Sequence, residues 1–329
     1  MLGCFIILKG YNRGMKKSVL IMGIPLLALL LSSCNMLMPS KKSSGSTNTS
    51  DPTTIIPAEE DPDDDDGEID PPDGDDDGGG DDEIPDIDFD PGDYYGTITD
   101  SMTGETLLNA LRAINKEAKK SEVGYSAMGT SASGKFKYTD YDPSTVQYDE
   151  NNQPYGTTIV SFYSGNKMTS FNREHVWPNT HGGNLVEDDI HMPRPTIPAE
   201  NGSRGHSFYI EGMKSNKNEG WDPAMEDFGV ESYRGDSARI IFYCMVANTQ
   251  LTLTDDGSLS SNTKNKQMGV ISDMLSWNLR YQVLDREHRR NSGAQYLQGN
   301  RNPFIDHPEY ACRIWGSTNS KTKQICGIA

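Results

Sequence analysis

The stretch FNREHVWPNTHGG, residues 171–183, sets a glutamate beside a histidine in a chain that holds only six histidines. The segment TSFNREHVWP predicts a strand that reaches Glu174 and His175 and is stopped by Pro178, which has no backbone N–H for a sheet. Neighbouring residues of a strand point to opposite faces. Taken alone, the pair is therefore better explained as structural than as catalytic.

The residues that follow predict a loop, a second extended segment and a short helix. THGGNLVEDD has the composition of a loop, and IHMPRPTIPAENGSR predicts an extended piece that turns near Pro195 into a helix. Pro198 lies in the first turn of that helix, where a missing N–H costs little. Asn201 and Arg204 are three residues apart, so we expect them to face the same way.

These side chains supply what phosphodiester hydrolysis requires. His175 has an ordinary pKa near neutrality, which suits a base that deprotonates water. Glu174 and Asn201 are oxygen ligands of the type that Mg²⁺ prefers, and Mg²⁺ takes few protein ligands. Arg204 and Arg194 are candidate phosphate contacts through their forked donors, with a solvent-facing charge as the alternative for each.

The order of the motifs resembles the endonuclease I family of exported bacterial nucleases. REHVWP is followed by Asp-Ile-His and Asn-Gly-x-Arg, with YDPSTV and VSFYSG before, RGDSARIIFY after and QGNRNPFIDHPEYA near the end. Together the motifs cover most of residues 95–316. The resemblance implies a ββα-metal (His-Me) finger in which His175 is the general base and Glu174 and Asn201 hold the metal. It also implies activity on DNA and often RNA, little sequence preference and 5'-phosphate products.

Two positions depart from the family pattern. IHMPRP carries an extra Pro193, and the residue two after Arg204, commonly asparagine in the family, is His206. Neither departure removes a proposed ligand or the base, but both bear on the shape of the substrate groove.

The remaining histidines and Trp177 have structural interpretations. His175, His181 and His191 lack a recognised zinc spacing and have no neighbouring cysteine, so zinc is not favoured. We expect His191 to support the finger, either by contacting the site residues from behind or as a structural residue. Trp177 is expected in the core.

The N-terminus has the charged-then-apolar order of an export signal. Residues 18–31 are almost wholly apolar, follow two lysines, and are too short to span a bilayer comfortably. Leu-Ser-Ser-Cys then resembles a bacterial lipoprotein signal, which implies removal of residues 1–33 and lipidation of Cys34. An ordinary cleaved signal or a short anchor is the alternative. Met15 directly precedes the lysines, so residues 1–14 are a candidate mis-assigned start.

The acidic charge of the chain is concentrated in one segment. Of the 48 acidic and 30 basic residues, 21 and 6 lie in residues 1–93, so 27 and 24 remain in residues 94–329. The near balance of the second part leaves room for a locally basic cleft, and a polyanionic substrate is not excluded. Residues 34–93 are rich in Asp, Gly, Ser and Pro, which predicts a disordered, self-repelling tether.

Residues 94–329 predict a single α+β domain of helices around the finger, preceded by the acidic tether. Short strand-forming pieces such as TTIVSFY fall within residues 121–170. The predicted helices are TGETLLNALRAINKEAKK, GDSARIIFYCMVANTQ, MGVISDMLSWNLRYQV, DREHRRNSGAQYLQ and a short turn in HPEYACRIW. Cys244 is expected to be a buried hydrophobe, and whether Cys312 and Cys326 pair stays open.

The sequence thus predicts an exported nuclease at the outer face of the cytoplasmic membrane, or a secreted one. Its expected partners are DNA and often RNA as substrate and the membrane through a lipid anchor. No protein partner is indicated, and a monomer is expected. Mg²⁺ is the expected cation, with Mn²⁺ and Ca²⁺ as alternatives. The competing hypothesis is a catalytically inactive surface lipoprotein that binds nucleic acid or another polymer.

Overall fold

Helices carry most of the regular structure in the computed structural model, which describes residues 89–214, 220–254 and 266–329. Within these ranges the helices are α1 (Gly104–Ala118), α2 (Tyr125–Met128), α3 (Pro198–Arg204), α4 (Tyr233–Ala247), α5 (Ile271–Arg280), α6 (Asp285–Gln298), α7 (Pro303–Asp306), α8 (Tyr310–Trp315) and α9 (Ser320–Ile325). Short helical turns of the 3₁₀ type connect several of them.

The strands pair two by two. They are β1 (Val146–Tyr148), β2 (Pro154–Gly156), β3 (Ile159–Val160), β4 (Lys167–Met168), β5 (Asn172–His175), β6 (Pro193–Thr196), β7 (Phe208–Tyr209), β8 (Gly220–Trp221), β9 (Thr252–Thr254) and β10 (Gln267–Val270). The pairs β1–β2, β3–β4 and β5–β6 are antiparallel, and β7–β8 and β9–β10 are parallel. Helices with small, mostly antiparallel sheets confirm the α+β prediction.

The main core forms around α4, which is buried along almost its whole length. Helices α1, α5 and α7 pack against it, and α8 packs against these three helices. Helix α1 is amphipathic, and its buried face presents Leu107, Leu108 and Leu111 to this core. Trp177 is fully buried in the same cluster, which confirms that it is a core residue. A second, smaller cluster includes Phe136, Ile159 and Phe171.

The predicted helix boundaries agree with the structure except in one segment. Helix α6 covers Asp285–Gln298 and ends at Gly299, whose φ of 96° is a left-handed conformation that favours glycine. The prediction of a helix from Met268 is wrong, because residues 267–270 form β10 and α5 begins at Ile271. The glycine at position 269 adopts a φ of 71°, which interrupts a helical backbone there.

The cysteines of the domain divide into a bridge and a buried thiol. Cys312 and Cys326 form a disulfide, with their Cα atoms 5.6 Å apart, and it links the C-terminal helices α8 and α9. Cys244 is free and buried in α4, as expected.

Residues 89–93, assigned to the tether from sequence, include contacts with the folded domain. The ring of Phe89 stacks on His288 with centroids 5.3 Å apart, and Arg301 donates to the Phe89 carbonyl. No described helix is long and apolar enough to cross a membrane. The apolar run at 18–31, Cys34 and the rest of the predicted tether lie outside the described residues.

Candidate active site

A cavity of about 180 Å³ opens where β5, the loop after it and α3 meet. It is lined by Arg173, Glu174, His175, Pro178, Asn179, Thr180, Asn201, Gly205 and His206. Three residues singled out from sequence, the proposed base and the two proposed metal ligands, therefore share one cavity. No group of three or more His, Cys, Asp or Glu side chains within the described ranges is arranged to hold a metal ion.

The strand pairing explains how the cavity is built. Strand β5 lies antiparallel to β6, with Glu174 opposite Arg194 and His175 opposite Pro193. Helix α3 follows β6 after one residue and packs on β5. The first turn of α3 begins with Pro198, as the sequence predicts.

The loop after β5 folds tightly over its own start. Gly183 donates to the Pro178 carbonyl over 2.9 Å, and a Cβ at position 183 would lie 1.8 Å from the Trp177 carbonyl oxygen. Only glycine fits this approach. The indole of Trp177 donates to the carbonyl of His181 over 2.8 Å, which fixes the loop against the core.

Glu174 points inward from β5, with 1% of its surface exposed. Its Oε1 accepts a hydrogen bond of 2.8 Å from the Tyr163 hydroxyl and lies 3.6 Å from Nε of Arg204. Burial raises the pKa of Glu174 to about 7, while Arg204 and Tyr163 act in the opposite direction. Its Oε2 makes no hydrogen bond to a described residue and is the oxygen left for the cavity.

His175 lies half-buried at the end of β5. Its Nε2 is 3.1 Å from Oε2 of Glu187, and its Nδ1 is 3.5 Å from the Tyr125 hydroxyl. The rings of Tyr125 and His175 lie 4.7 Å apart. Burial lowers the pKa of His175, against the raising effect of Glu187. The imidazole is therefore neutral at neutral pH, which is the form that accepts a proton.

Asn201 lies in the middle of α3 and lines the cavity. Its side chain makes no hydrogen bond to a described residue, so its amide oxygen is available to a ligand. The backbone N–H of Asn201 donates to Ile197 and its carbonyl accepts from Gly205, as expected in a helix. The cavity is also lined by His206, whose side chain is exposed.

Arg204 does not face the cavity with Asn201, and the predicted phosphate contact does not fit its position. Its side chain is fully buried. Nη2 donates to the Val176 carbonyl over 2.8 Å, and Nη1 donates to the carbonyls of Gly205 and His175 over 3.2 and 3.4 Å. Because α3 ends at Arg204, the side chain folds back under the end of β5. It holds the strand and neutralises a buried carboxylate.

Arg194 is likewise directed away from solvent, although the sequence suggested a phosphate contact or an exposed charge. Its Nε donates to Oδ1 of Asp140 over 2.7 Å, and its guanidinium lies 4.1 Å from the centre of the Phe162 ring. Arg194 does not line the cavity. Its buried ion pair joins β6, through Nε of Arg194, to the segment before β1.

Comparison with known proteins supplies the family. The sequence model of the Endonuclease I family matches residues 103–309, well over half of the chain. The chain belongs to the endonuclease I family. An extracellular ribonuclease of Bacillus amyloliquefaciens is 36% identical over 168 residues, which cover 46% of this chain and 56% of that protein. An extracellular ribonuclease of Bacillus subtilis (strain 168) is 34% identical over 168 residues, with the same shares. The chain thus spans about half the length of these curated relatives.

The family match includes His191, which the structure places behind the cavity rather than in it. His191 is buried, its Nε2 lies 3.2 Å from the Asn300 carbonyl oxygen, and its ring packs on Tyr243 at 4.5 Å. Asp189 accepts hydrogen bonds from Tyr243 and from Gln298 over 2.6 Å each. This network attaches the residues before β6 to α4 and α6.

Sequence reasoning missed several residues that contact Glu174 or His175. Glu187 and Tyr125 contact the His175 ring, and Tyr163 contacts Glu174. Arg173 stacks its guanidinium 3.8 Å above the Tyr125 ring and donates to the Tyr125 carbonyl. Arg173 and Tyr163 carried a local signal, since they lie in the REHVWP and VSFYSG motifs. Glu187 comes from the loop after β5, and Tyr125 approaches from 50 residues away.

Proposed function

We propose that this chain is an exported, metal-dependent endonuclease that hydrolyses phosphodiester bonds of RNA and DNA with little sequence preference. The observation that carries the proposal is the single cavity in which Glu174, His175 and Asn201 meet. Membership of the endonuclease I family supports the reaction, and the printed names of the two relatives support RNA as a substrate and export as the destination.

The donor set of the cavity suits a hard divalent cation. Glu174 offers a carboxylate oxygen and Asn201 an amide oxygen, and neither of these oxygens is hydrogen-bonded to a described residue. The raised pKa of Glu174 reflects a buried carboxylate that is only partly neutralised by Arg204. A bound Mg²⁺ would stabilise negative charge on the phosphoryl and leaving oxygens. Mg²⁺ is proposed as the ion, with Mn²⁺ and Ca²⁺ as alternatives.

His175 is proposed as the general base. One nitrogen of the neutral imidazole takes the proton from a water as the water oxygen attacks phosphorus. The bond to the 3' oxygen breaks, and the phosphate stays on the 5' side of the product. Glu187 and Tyr125 hold the ring by its two nitrogens. Whichever contact opens to admit water, the remaining one keeps the ring oriented.

The succession β5, β6 and α3 supports the proposal of a ββα-metal finger. Its first strand carries the base and one ligand, and its helix carries the second ligand. In this arrangement Arg204 and His191 are positioning residues. The buried guanidinium fixes the end of the first strand, and the histidine ties the loop to α4.

Attachment to the membrane through lipid on Cys34 is proposed from the sequence pattern alone, with a secreted form as the alternative. The domain is proposed to act as a monomer, with the acidic segment as its tether.

Digestion of plasmid DNA and of RNA by the purified chain tests the proposal. Cleavage is expected with at least one of Mg²⁺, Mn²⁺ and Ca²⁺, and loss of cleavage is expected in EDTA. His175→Ala should lose activity, whereas His288→Ala, a half-buried histidine that does not line the cavity, should keep it. Absence of cleavage with every cation would favour the inactive surface-binding protein instead.

A further inference from the structure

A second and larger cavity, of about 310 Å³, lies on the outer side of α6. Its walls include Tyr138, Tyr141, Arg289, Ser292 and Tyr296. It shares no lining residue with the Glu174 cavity. Its volume is within the range of cavities that hold small ligands.

Arg289 is a charged group of this cavity that pairs with no described residue. Its neighbours in α6 are both paired, Arg286 with Asp236 and Arg290 with Asp140. Arg289 makes no hydrogen bond and no ion pair with any described residue, although it is half-buried. Burial lowers the pKa of this guanidinium. A partly desolvated guanidinium with unused donors is suited to bind an anion, above all a phosphate.

Two hydroxyl groups beside Arg289 are also unused. Ser292 follows three residues later in α6, on the same face. Its Oγ is buried and has no hydrogen-bond partner in the described parts of the chain. The hydroxyl of Tyr141, which is otherwise a buried residue, makes no hydrogen bond to a described residue. Buried polar atoms are nearly always satisfied, so the Ser292 hydroxyl indicates a polar ligand, and Tyr141 lines the same cavity.

The aromatic part of the wall is held rigid. The hydroxyls of Tyr138 and Tyr296 both donate to Oδ2 of Asp149, over 3.2 and 2.9 Å, and their rings lie 5.5 Å apart. Tyr296 nevertheless leaves 40% of its surface exposed. A fixed and open aromatic face is a platform on which a base of any sequence can stack.

We infer that this cavity binds one nucleotide unit of a nucleic acid strand, with its phosphate on Arg289 and its base against Tyr296. Ser292 and Tyr141 then donate to the phosphate or sugar. The inference rests on the proposed function for the class of ligand, and it adds a strand-holding subsite outside the cleavage site. Stacking of the base and contact with the phosphate do not depend on base identity, so such a subsite binds strands of any sequence.

Calorimetric titration of the intact purified chain with adenosine 5'-monophosphate, in EDTA so that no cation is bound, tests the subsite. Binding is expected to exceed that of adenosine or of inorganic phosphate alone. Arg289→Ala should weaken it by about tenfold or more, as loss of a charge-assisted hydrogen bond does. Arg280→Ala removes an equal charge from an exposed residue outside the cavity and should leave binding unchanged. Tyr296→Ala should also weaken binding, and thermal unfolding confirms that each variant is folded.

The outcomes separate this subsite from the nuclease proposal. Nucleotide binding that depends on Arg289 supports the subsite even if the chain cleaves nothing. Absence of binding, or equal binding by Arg289→Ala and the parent chain, would overturn it even if cleavage is strong. Binding that emerges only after deletion of residues 62–83 would also overturn it, because the acidic segment would then be the occupant of the cavity.

Discussion

Nε2 of His175 lies 3.1 Å from Oε2 of Glu187, twelve residues further along the chain. The contact crosses the loop between β5 and β6, so the loop brings a carboxylate to the ring of the proposed base. Glu187 opposes the effect of burial on the pKa of His175. It also holds the imidazole in one orientation, together with Tyr125.

Replacing Glu187 by glutamine should lower the rate of cleavage and change its pH dependence. We expect the plateau rate to fall by about tenfold or more, because the ring loses a charged partner that orients it. The acid limb should move to lower pH, since the carboxylate no longer raises the pKa of His175. Rates measured from pH 4 to 8 check both effects. Glu150→Gln, at an exposed position with no role in the cavity, is the control. A slower enzyme with an unshifted acid limb would count against the charge effect.

Arg204→Lys should lower the stability of the fold, because the buried guanidinium contacts the protein and not a bound phosphate. Lysine cannot reproduce donors to the carbonyls of Val176, His175 and Gly205 at once. We expect the free energy of unfolding to fall by about 3 kcal/mol, because buried carbonyls are left without hydrogen-bond donors. Urea denaturation measures the change, with Arg280→Ala as an exposed control within about 0.5 kcal/mol of the parent. Unchanged stability with a raised KM would instead restore the phosphate role.

The sequence predicted the elements of the site better than the directions of its side chains. Spacing and proline placement located β5 and α3, and the three residues named from the quoted motifs, Glu174, His175 and Asn201, line one cavity. The orientation of Arg204 was not predictable, because a helix of seven residues that ends at that position lets the last side chain fold back. Its burial is set by Tyr163, Tyr209 and Met268, which come from other segments.

Contacts between distant segments escaped prediction for a related reason. Tyr125 reaches His175 from 50 residues away, and Asn300 reaches His191 from 109 residues away. Local patterns carry no information about such pairs. The start of α5 was also misplaced, because Gln267 and Val270, on either side of Gly269, pair with β9, a tertiary contact that overrides a weak helical pattern.

Stability should decrease as the pH falls through the range in which His191 becomes charged. Burial lowers the pKa of His191 to about 4, below the usual 6.5 of the unfolded chain. The stabilisation is present above pH 6.5 and is lost as the pH falls towards 4, on the order of 3 kcal/mol in total. His191→Phe keeps a ring against Tyr243 and should flatten this part of the curve. Denaturation midpoints from pH 8 to 4 provide the measurement, and an equally steep curve in the variant would contradict the assignment.

Cys34→Ala should change where the protein is found. If the cysteine receives a lipid, its loss should release the domain into the medium or leave an unprocessed precursor. Cell fractionation and the mass of the N-terminal peptide distinguish these results. Cys244→Ala, at a buried thiol of the domain, is a cysteine-matched control for localisation. Unchanged attachment and processing in Cys34→Ala would argue against lipidation.

The roles of the three residues in the first cavity should separate when metal binding and cleavage are measured together. His175→Ala removes the proposed base and leaves both proposed ligands, so metal affinity should stay nearly unchanged. Cleavage should nevertheless fall by about two orders of magnitude or more, the usual contribution of a positioned base. Asn201→Ala and Glu174→Ala should instead weaken metal binding, and part of their activity should return at high cation concentration. In the parent enzyme the rate should rise with pH through the titration of His175, because the neutral imidazole is the active form.

Calorimetric titration with Mg²⁺ and cleavage rates for the three variants provide the comparison. Loss of metal binding in His175→Ala, with binding and turnover intact in Asn201→Ala, would make His175 a ligand and the assignment wrong.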